Sequence, residues 1–146
     1  MFRYGLTAVL LFVGCGALAC QQYSQGLEKS VARADEVGAI SALHTVVLAE
    51  RNYSLSNSGA YATFQELVKT GALDQRFDSE TPRLNGYLLL MTVTKGAGTV
   101  PDSFTLSADP ETPATKPGRH FFVDSQGMIH ANPSQPATAT DPPLGQ

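Results

Sequence analysis

Cysteine is scarce in this chain and occurs only near its beginning. The sequence contains two cysteines, Cys15 and Cys20. The rest of the chain can therefore form neither an internal disulfide nor a metal site built from cysteine thiolates. Its length of 146 residues leaves room for one domain with a single small core.

Concentrated positive charge is also lacking. The 10 lysine and arginine residues are scattered along the chain, and the formal net charge is -3. Proteins that bind nucleic acid usually hold its phosphate backbone with a basic stripe or patch. The sequence therefore predicts no nucleic-acid partner.

Short catalytic and cofactor-binding motifs are missing as well. The sequence has no HExxH, CxxC or GxSxG motif and no phosphate-binding loop. The "GAG" at residues 96–98 is too short and too poorly placed to hold a phosphate. We therefore predict no enzyme activity, no cofactor and no small-molecule substrate.

The histidines are the remaining candidates for acid–base chemistry. His120 and His130 lie in "GRHFFVDSQGMIHAN", residues 118–132, on the two arms of a predicted hairpin. A catalytic histidine needs a nucleophile or an acid beside it and a third group to orient it. The sequence suggests no such companion, so we interpret both as half-exposed strand residues. His44 is interpreted as a residue on the flank of a helix.

Carboxylates in the predicted loops form a weaker candidate site, because hard cations such as calcium are held by several oxygens at once. These carboxylates are Asp102, Asp109, Glu111 and Asp124. Their spacing does not match an EF-hand loop. We therefore interpret them as a solvated loop surface and predict no metal site.

The first residues have the layout of a secretion signal. "MFRYGLTAVLLFVGCGALAC" has Arg3 near its start, then an apolar run too short for a membrane-spanning helix, then small residues before a cysteine. This ending resembles the lipobox of bacterial lipoproteins, in which the cysteine receives lipid and becomes the new N-terminus. The resemblance implies a signal peptide over residues 1–19 and lipidation of Cys20, with Cys15 as the alternative site.

A lipoprotein-type signal also implies a location. The mature protein would be held in the cell envelope by its N-terminal lipid, facing the periplasm or the cell surface. Residues 20–33 would then contain the lipid attachment site, a tether and the start of a helix. A freely secreted protein without lipid is the alternative interpretation.

Helical periodicity follows the signal region. Apolar residues recur at helical spacing between Ser24 and Tyr53, whereas charged residues, Glu50 among them, mostly occupy the other angles. The predicted apolar stripe consists of Leu27, Val31, Val37, Ile40, Leu43 and Val47. A second, shorter helix is predicted within residues 61–73, with Gly71 as its stop.

The period then changes to that of strands. Residues 87–94 and 103–108 predict one hairpin, and residues 119–123 and 128–131 predict another. The predicted fold class is α+β, with one long N-terminal helix packed on a small antiparallel sheet of three to four strands.

Proline-rich segments flank the second hairpin. Residues 109–118 contain 3 prolines and predict an exposed crossing loop. Residues 132–146 contain 4 prolines and almost nothing apolar, which predicts a disordered tail. The globular domain is therefore predicted to span residues 34–131.

The order of these parts resembles the type IV pilins and the pseudopilins of type II secretion. The segment "ADEVGAISALHTVVLAERNY" is similar to the exposed half of a pilin helix, and "GYLLLMTV", "FTLSADPETPATKPGRHFFVDSQGMIHAN" and "PPLG" are similar to the sheet and tail of pilin-like proteins. The resemblance covers residues 34–144 and is most specific at Ala108–Pro110 and at residues 118–122. It implies a pilin-like head domain.

The beginning of the chain departs from that family. Pilins carry a short basic leader, a glycine cleavage site followed by phenylalanine, an acidic residue soon after, and an apolar helix half that packs inside the filament. A lipoprotein-type signal stands there instead. We therefore expect a lipid-anchored pilin-like module that binds an envelope protein, as a component of a pilus or secretion machine. A filament subunit and a small periplasmic enzyme are the alternatives.

Overall fold

The protein is described by a computed structural model that covers residues 7–111 and 118–145, with side chains from residue 30 onward. In chain order its elements are α1 (Thr7–Ser56), α2 (Phe64–Lys69), the 3₁₀ turn Gln75–Phe77, β1 (Arg83–Leu84), β2 (Tyr87–Thr94), β3 (Ser103–Pro110), β4 (His120–Asp124) and β5 (His130–Asn132). One long helix and an antiparallel sheet confirm the α+β class predicted from the sequence.

Helix α1 begins before the predicted start at Ser24, since Thr7 is already helical. The predicted signal peptide over residues 1–19 begins outside the described residues, and the side chains of Cys15 and Cys20 are not among those described. In the described parts of the chain, no helix combines the length and the hydropathy needed to cross a membrane.

The face of α1 that packs on the sheet differs in part from the predicted stripe. Leu43 and Val47 are buried as predicted, but Val31 and Val37 are exposed. The buried face is formed by Ala39, Ala42, Leu43, Val46, Val47, Ala49 and Glu50. This face keeps helical spacing but is rotated away from Val37, because small alanines and a glutamate occupy angles that a search for large apolar residues passes over.

A capping box fixes the start of α2. The Thr63 hydroxyl accepts a hydrogen bond from the Glu66 N–H, and Glu66 Oε2 accepts one from the Thr63 N–H at 2.7 Å. Phe64 faces the core on this helix. Gly71 follows the helix with a φ of 77°, in agreement with its predicted role as a stop. The helix is shorter than the predicted segment, with 6 residues.

The sheet is a meander in which neighbours in the chain are neighbours in space. Its order is β1-β2-β3-β4-β5, and each adjacent pair is antiparallel. Alternate residues of β3 and β4 face α1 and are buried: Phe104, Leu106, Ala108, Phe121 and Val123. The sheet has 5 strands rather than three to four, because the two-residue β1 adds to the edge of β2. So short a strand gives no alternation to detect.

The segment after β5 is not the disordered tail predicted for residues 132–146. The structure places residues 132–145 against the sheet, where the Leu144 N–H donates to the Ile129 carbonyl at 2.7 Å and the Ala131 N–H donates to the Pro142 carbonyl at 3.1 Å. Ala137, within this segment, is buried. Proline fixes the backbone without requiring disorder, so a proline-rich segment can follow a sheet edge when neighbouring groups hold it.

Candidate functional site

The outer face of the sheet carries a histidine–aspartate pair. Strands β3 and β4 are in register with Ala108 opposite Phe121, so Asp109 and His120 lie side by side on the face turned away from α1. His120 Nδ1 lies 2.5 Å from Asp109 Oδ1, and His120 is only 8% exposed. The prediction of a half-exposed histidine without a companion is therefore wrong, because the companion comes from the strand before the crossing loop.

A third polar side chain in this group does not complete a catalytic triad. Ser107 Oγ donates to Asp109 Oδ2 at 3.2 Å. In a Ser–His–Asp site the hydroxyl bonds to the histidine, which removes its proton. Within the described residues, no hydroxyl or thiol bonds to His120. The group orients a histidine but supplies it with no nucleophile.

The second histidine of this stretch holds the C-terminal segment in place. His130 Nδ1 lies 2.6 Å from the Asp141 carbonyl oxygen, and Asn132 Nδ2 donates to Asp141 Oδ1 at 2.7 Å. The Thr138 N–H donates to the other carboxylate oxygen of Asp141. The hydrogen bonds that the carboxylate accepts from Asn132 and Thr138, with the larger effect from Asn132, lower the pKa of Asp141. His130 is half-buried, as predicted, and its contact is structural.

The histidine–aspartate pair gives a prediction about stability. We expect His120→Gln to lower the free energy of unfolding by ~1 kcal/mol, since an intramolecular hydrogen bond contributes about that much. The change should be visible in thermal melts. His44→Gln is the matched control, because His44 is exposed and its replacement should leave the melt within ~0.5 kcal/mol. If His120→Gln removed a biological activity while the melt stayed unchanged, a chemical role for His120 would follow.

The carboxylates considered for cation binding do not converge. Each has a separate partner: Asp102 accepts from the Gly96 N–H, Asp109 contacts His120, Glu111 pairs with Arg83, and Asp124 accepts from the Gln126 N–H. In residues 30–111 and 118–145, no group of three or more histidine, cysteine, aspartate or glutamate side chains could hold a metal ion. His44 lies on the exposed side of α1, away from them.

Arg119 ties the opening of β4 to α1. Its guanidinium donates to Glu36 Oε2 through Nε at 3.1 Å and through Nη2 at 2.9 Å. The backbone N–H of Arg119 donates to Glu36 Oε1. The guanidinium also lies 5.4 Å from the ring centroid of Phe121, within the range of a cation–π contact. The charged residue in the "GRHFF" stretch therefore joins sheet and helix.

Glu50 is a second titratable group whose position was predicted wrongly. It was predicted on the polar side of α1, but its exposure is 0%. Its Oε2 accepts from the Ala62 N–H at 3.1 Å, whereas Oε1 is buried without a hydrogen-bond partner in the described residues. Burial raises the pKa of Glu50 to about 7, against the opposing effect of the Ala62 N–H. A single buried glutamate in an amphipathic helix leaves no sequence signal.

A groove follows the edge of β2, and no sequence pattern indicated it. Its volume is about 340 Å³, and it is lined by Thr63, Phe64, Gln65, Glu80, Thr81, Leu90, Met91 and Val93. Strand β1 pairs only with Tyr87 and Leu88, so most of β2 has no paired strand on this side in the part of the chain that the structure describes. The groove therefore combines apolar side chains with an unpaired strand edge.

Comparisons with models of protein families, with curated proteins and with solved structures find no match to this chain.

Proposed function

We propose that this protein is a non-catalytic envelope lipoprotein whose pilin-like domain binds another protein, as an accessory component of a type IV pilus or a secretion system. One observation carries the non-catalytic role. The side chains that could do chemistry are engaged in holding strands, helix and C-terminal segment together, through the contacts of Asp109 with His120 and of His130 with Asp141. A groove beside an open strand edge is left for binding.

The pilin-like character of the proposal is supported by the arrangement of the elements. A long N-terminal helix lies against an antiparallel meander, which is the order of parts that the resemblance implies. The two most family-like stretches meet in space, since Asp109 contacts His120. A fold shared with pilins would still leave the function to be decided by surfaces and by the anchor.

A filament subunit is the second candidate, and the outer face of α1 favours it. Val37, Leu48 and Leu55 are exposed at 67%, 61% and 85%, although they are large and apolar. An exposed apolar helix face is available for packing between helices of neighbouring subunits. The two candidates differ in how the N-terminus is held, by lipid or by packing in a filament core.

Lipidation at Cys20 tests the anchored module. We expect the wild-type protein to stay with membranes through a high-salt wash, because several acyl chains hold a protein firmly and its acidic mature chain gains nothing from anionic lipid. Cys20→Ser should accumulate as an uncleaved precursor. Mass spectrometry of the mature N-terminus measures the modification directly.

Cys15→Ser is the matched control for that experiment. If Cys20 is the lipidated residue, Cys15→Ser should be processed and anchored like the wild type. A lipidated Cys15 would move the cleavage site and leave the proposal standing. An unmodified N-terminus in soluble protein would refute the lipoprotein assignment.

Crosslinking in intact cells tests the binding role. We expect one envelope protein to be captured reproducibly and to be identified by mass spectrometry of the crosslinked peptides. A ladder of adducts that contain only this chain would instead favour a filament subunit. Absence of any adduct, with the protein present at the membrane, would contradict a role in protein binding.

A further inference from the structure

The open edge of β2 begins where a proline ends the pairing with the preceding segment. The Leu89 N–H donates to the Pro82 carbonyl at 2.9 Å, which shows that odd-numbered residues of β2 turn their backbone groups away from β3. Pro82 has no N–H to donate to the Leu89 carbonyl, so the pairing stops there. Beyond it, Met91 and Val93 direct their N–H and C=O groups at the open edge, and no described residue bonds to them there.

This edge has the features that invite strand pairing. It is largely apolar, with Leu90 exposed at 55% on the outer face and Met91 and Val93 half-buried on the inner face. Unpaired strand edges of this kind are ready templates for another strand. The groove beside the edge provides space for one, with Phe64 on its inner wall.

We propose that a second copy of this chain occupies the edge, so that two β2 strands pair antiparallel about a two-fold axis at Thr92. In that register Met91 of each copy lies opposite Val93 of the other, and the four N–H and four C=O groups at the edge are used in reciprocal pairs. The edge is therefore self-complementary, because a second copy rotated about Thr92 presents its own N–H and C=O groups at the matching positions.

Charge favours this register as well. Glu80 and Met91 both line the groove, and Glu80 forms no ion pair within the described residues. In antiparallel pairing about Thr92, Val93 of the second copy lies opposite Met91. Lys95 of that copy, two residues further along, therefore comes close to the groove that Glu80 lines. Lys95 contacts Asp102 of its own copy at 3.4 Å, but its side chain is 72% exposed, which leaves it able to donate to Glu80 of the other copy as well. Two such contacts form in one dimer.

The edge is short, so the dimer should be weak in dilute solution. Stable complexes usually bury at least ~1,200 Å² in total, which a few paired residues on each side do not reach alone. Two copies held in one membrane have a much higher effective concentration. This part of the inference rests on the proposed lipid anchor, whereas the edge geometry does not.

Disulfide trapping tests the register. Thr92 would face Thr92 of the second copy as a non-hydrogen-bonded pair, with Cα atoms about 4.5 Å apart, within the range that a disulfide spans. We expect Thr92→Cys, in the full chain with Cys15→Ser, to give a disulfide-linked dimer in membranes after mild oxidation with diamide. The parent chain without the new cysteine gives the background from Cys20.

Thr105→Cys is the matched control. Thr105 is the exposed partner of Thr92 on β3, on the same face of the sheet. In the proposed dimer the two Thr105 residues would be three strand spacings apart, roughly 14 Å, too far for a disulfide. A yield from Thr92→Cys no greater than that from Thr105→Cys overturns the proposal.

Two further changes separate edge pairing from random collision. Met91→Pro removes an N–H that points to the open edge and none that bonds to β3, so it should keep the fold and lower the Thr92→Cys dimer at least about fivefold. Glu80→Lys and Lys95→Glu should each lower the yield roughly two- to fivefold, and the double variant should restore it. Equal yields in all these variants would overturn the two-fold register.

The outcomes also separate this inference from the proposed function. If Thr92→Cys traps a different protein instead of a second copy, the edge binds a partner strand, the dimer is refuted and the binding role is supported. If the dimer forms equally well in detergent solution and in protein that carries no lipid, the edge pairing stands and confinement in a membrane is not needed for it, while lipidation is decided separately by mass spectrometry of the N-terminus.

Discussion

We expect Leu43→Asp to unfold the domain. Leu43 has an exposure of 0% and lies in the core formed by α1 and the inner face of the sheet. Truncating a buried leucine costs ~2–5 kcal/mol, and an unpaired carboxylate placed there adds a further penalty. That sum approaches the ~5–15 kcal/mol by which a typical domain is stable. Loss of the cooperative thermal transition, followed by near-ultraviolet circular dichroism, measures the effect.

Leu48→Asp is the matched control for this change. Leu48 lies on the same helix and is 61% exposed, so the same substitution there meets water rather than core. Its melt should remain within ~0.5 kcal/mol of the wild type. Equal melting of Leu43→Asp and wild type would mean that α1 is not docked on the sheet. Equal damage by both variants would mean that helix propensity, and not burial, sets the result.

Individual residues show how much of helix α1 could be predicted from the sequence. Leu43 and Val47 were predicted in the core and are buried, because large apolar residues at helical spacing mark a face well. Val37 fits the same pattern nearly as well but is exposed. The choice between the two depends on which side of the helix the sheet covers, which no local pattern contains. Alanines complete the buried face, and their small side chains add little to a periodic signal.

Strand alternation was predictable, but contacts between distant strands were not. Phe121 and Val123 lie on one face of β4 and Phe122 on the other, as alternation predicts, and the face with Phe121 and Val123 is the buried one. The contact of His120 with Asp109 depends on the register between β3 and β4, which follows a crossing loop of unpredictable path. Register is set by packing on both faces at once, so it appears only in the folded chain.

The C-terminal segment and the strand edge mark a further limit of sequence analysis. Proline content predicted disorder after residue 132, whereas Asp141 holds that segment through its carboxylate and its carbonyl. The open edge of β2 arises from Pro82, one residue before a strand too short to predict. Both features depend on single residues that act on distant backbone, where composition and periodicity carry no information.

The stability of the domain should fall as pH rises from about 5 to 8, because of Glu50. Burial raises its pKa from the ordinary value of 4.5 to about 7, so the folded state binds this proton more tightly than the unfolded state. The stabilisation is fully present below pH 4.5 and is lost as pH rises through about 7. The nearby charge of Glu66 acts in the same direction. Such a shift corresponds to at most ~3 kcal/mol, measured by denaturant unfolding across the pH range.

Glu50→Gln should flatten this pH dependence. An amide oxygen can still accept from the Ala62 N–H, while the side chain no longer gains a charge inside the core. Histidines titrate in the same range, so the informative quantity is the difference in slope between variant and wild type. Glu80→Gln is the matched control, because Glu80 is exposed and its variant should keep the wild-type slope. If Glu50→Gln also kept the wild-type slope, ionisation of Glu50 would not be the cause of the pH dependence.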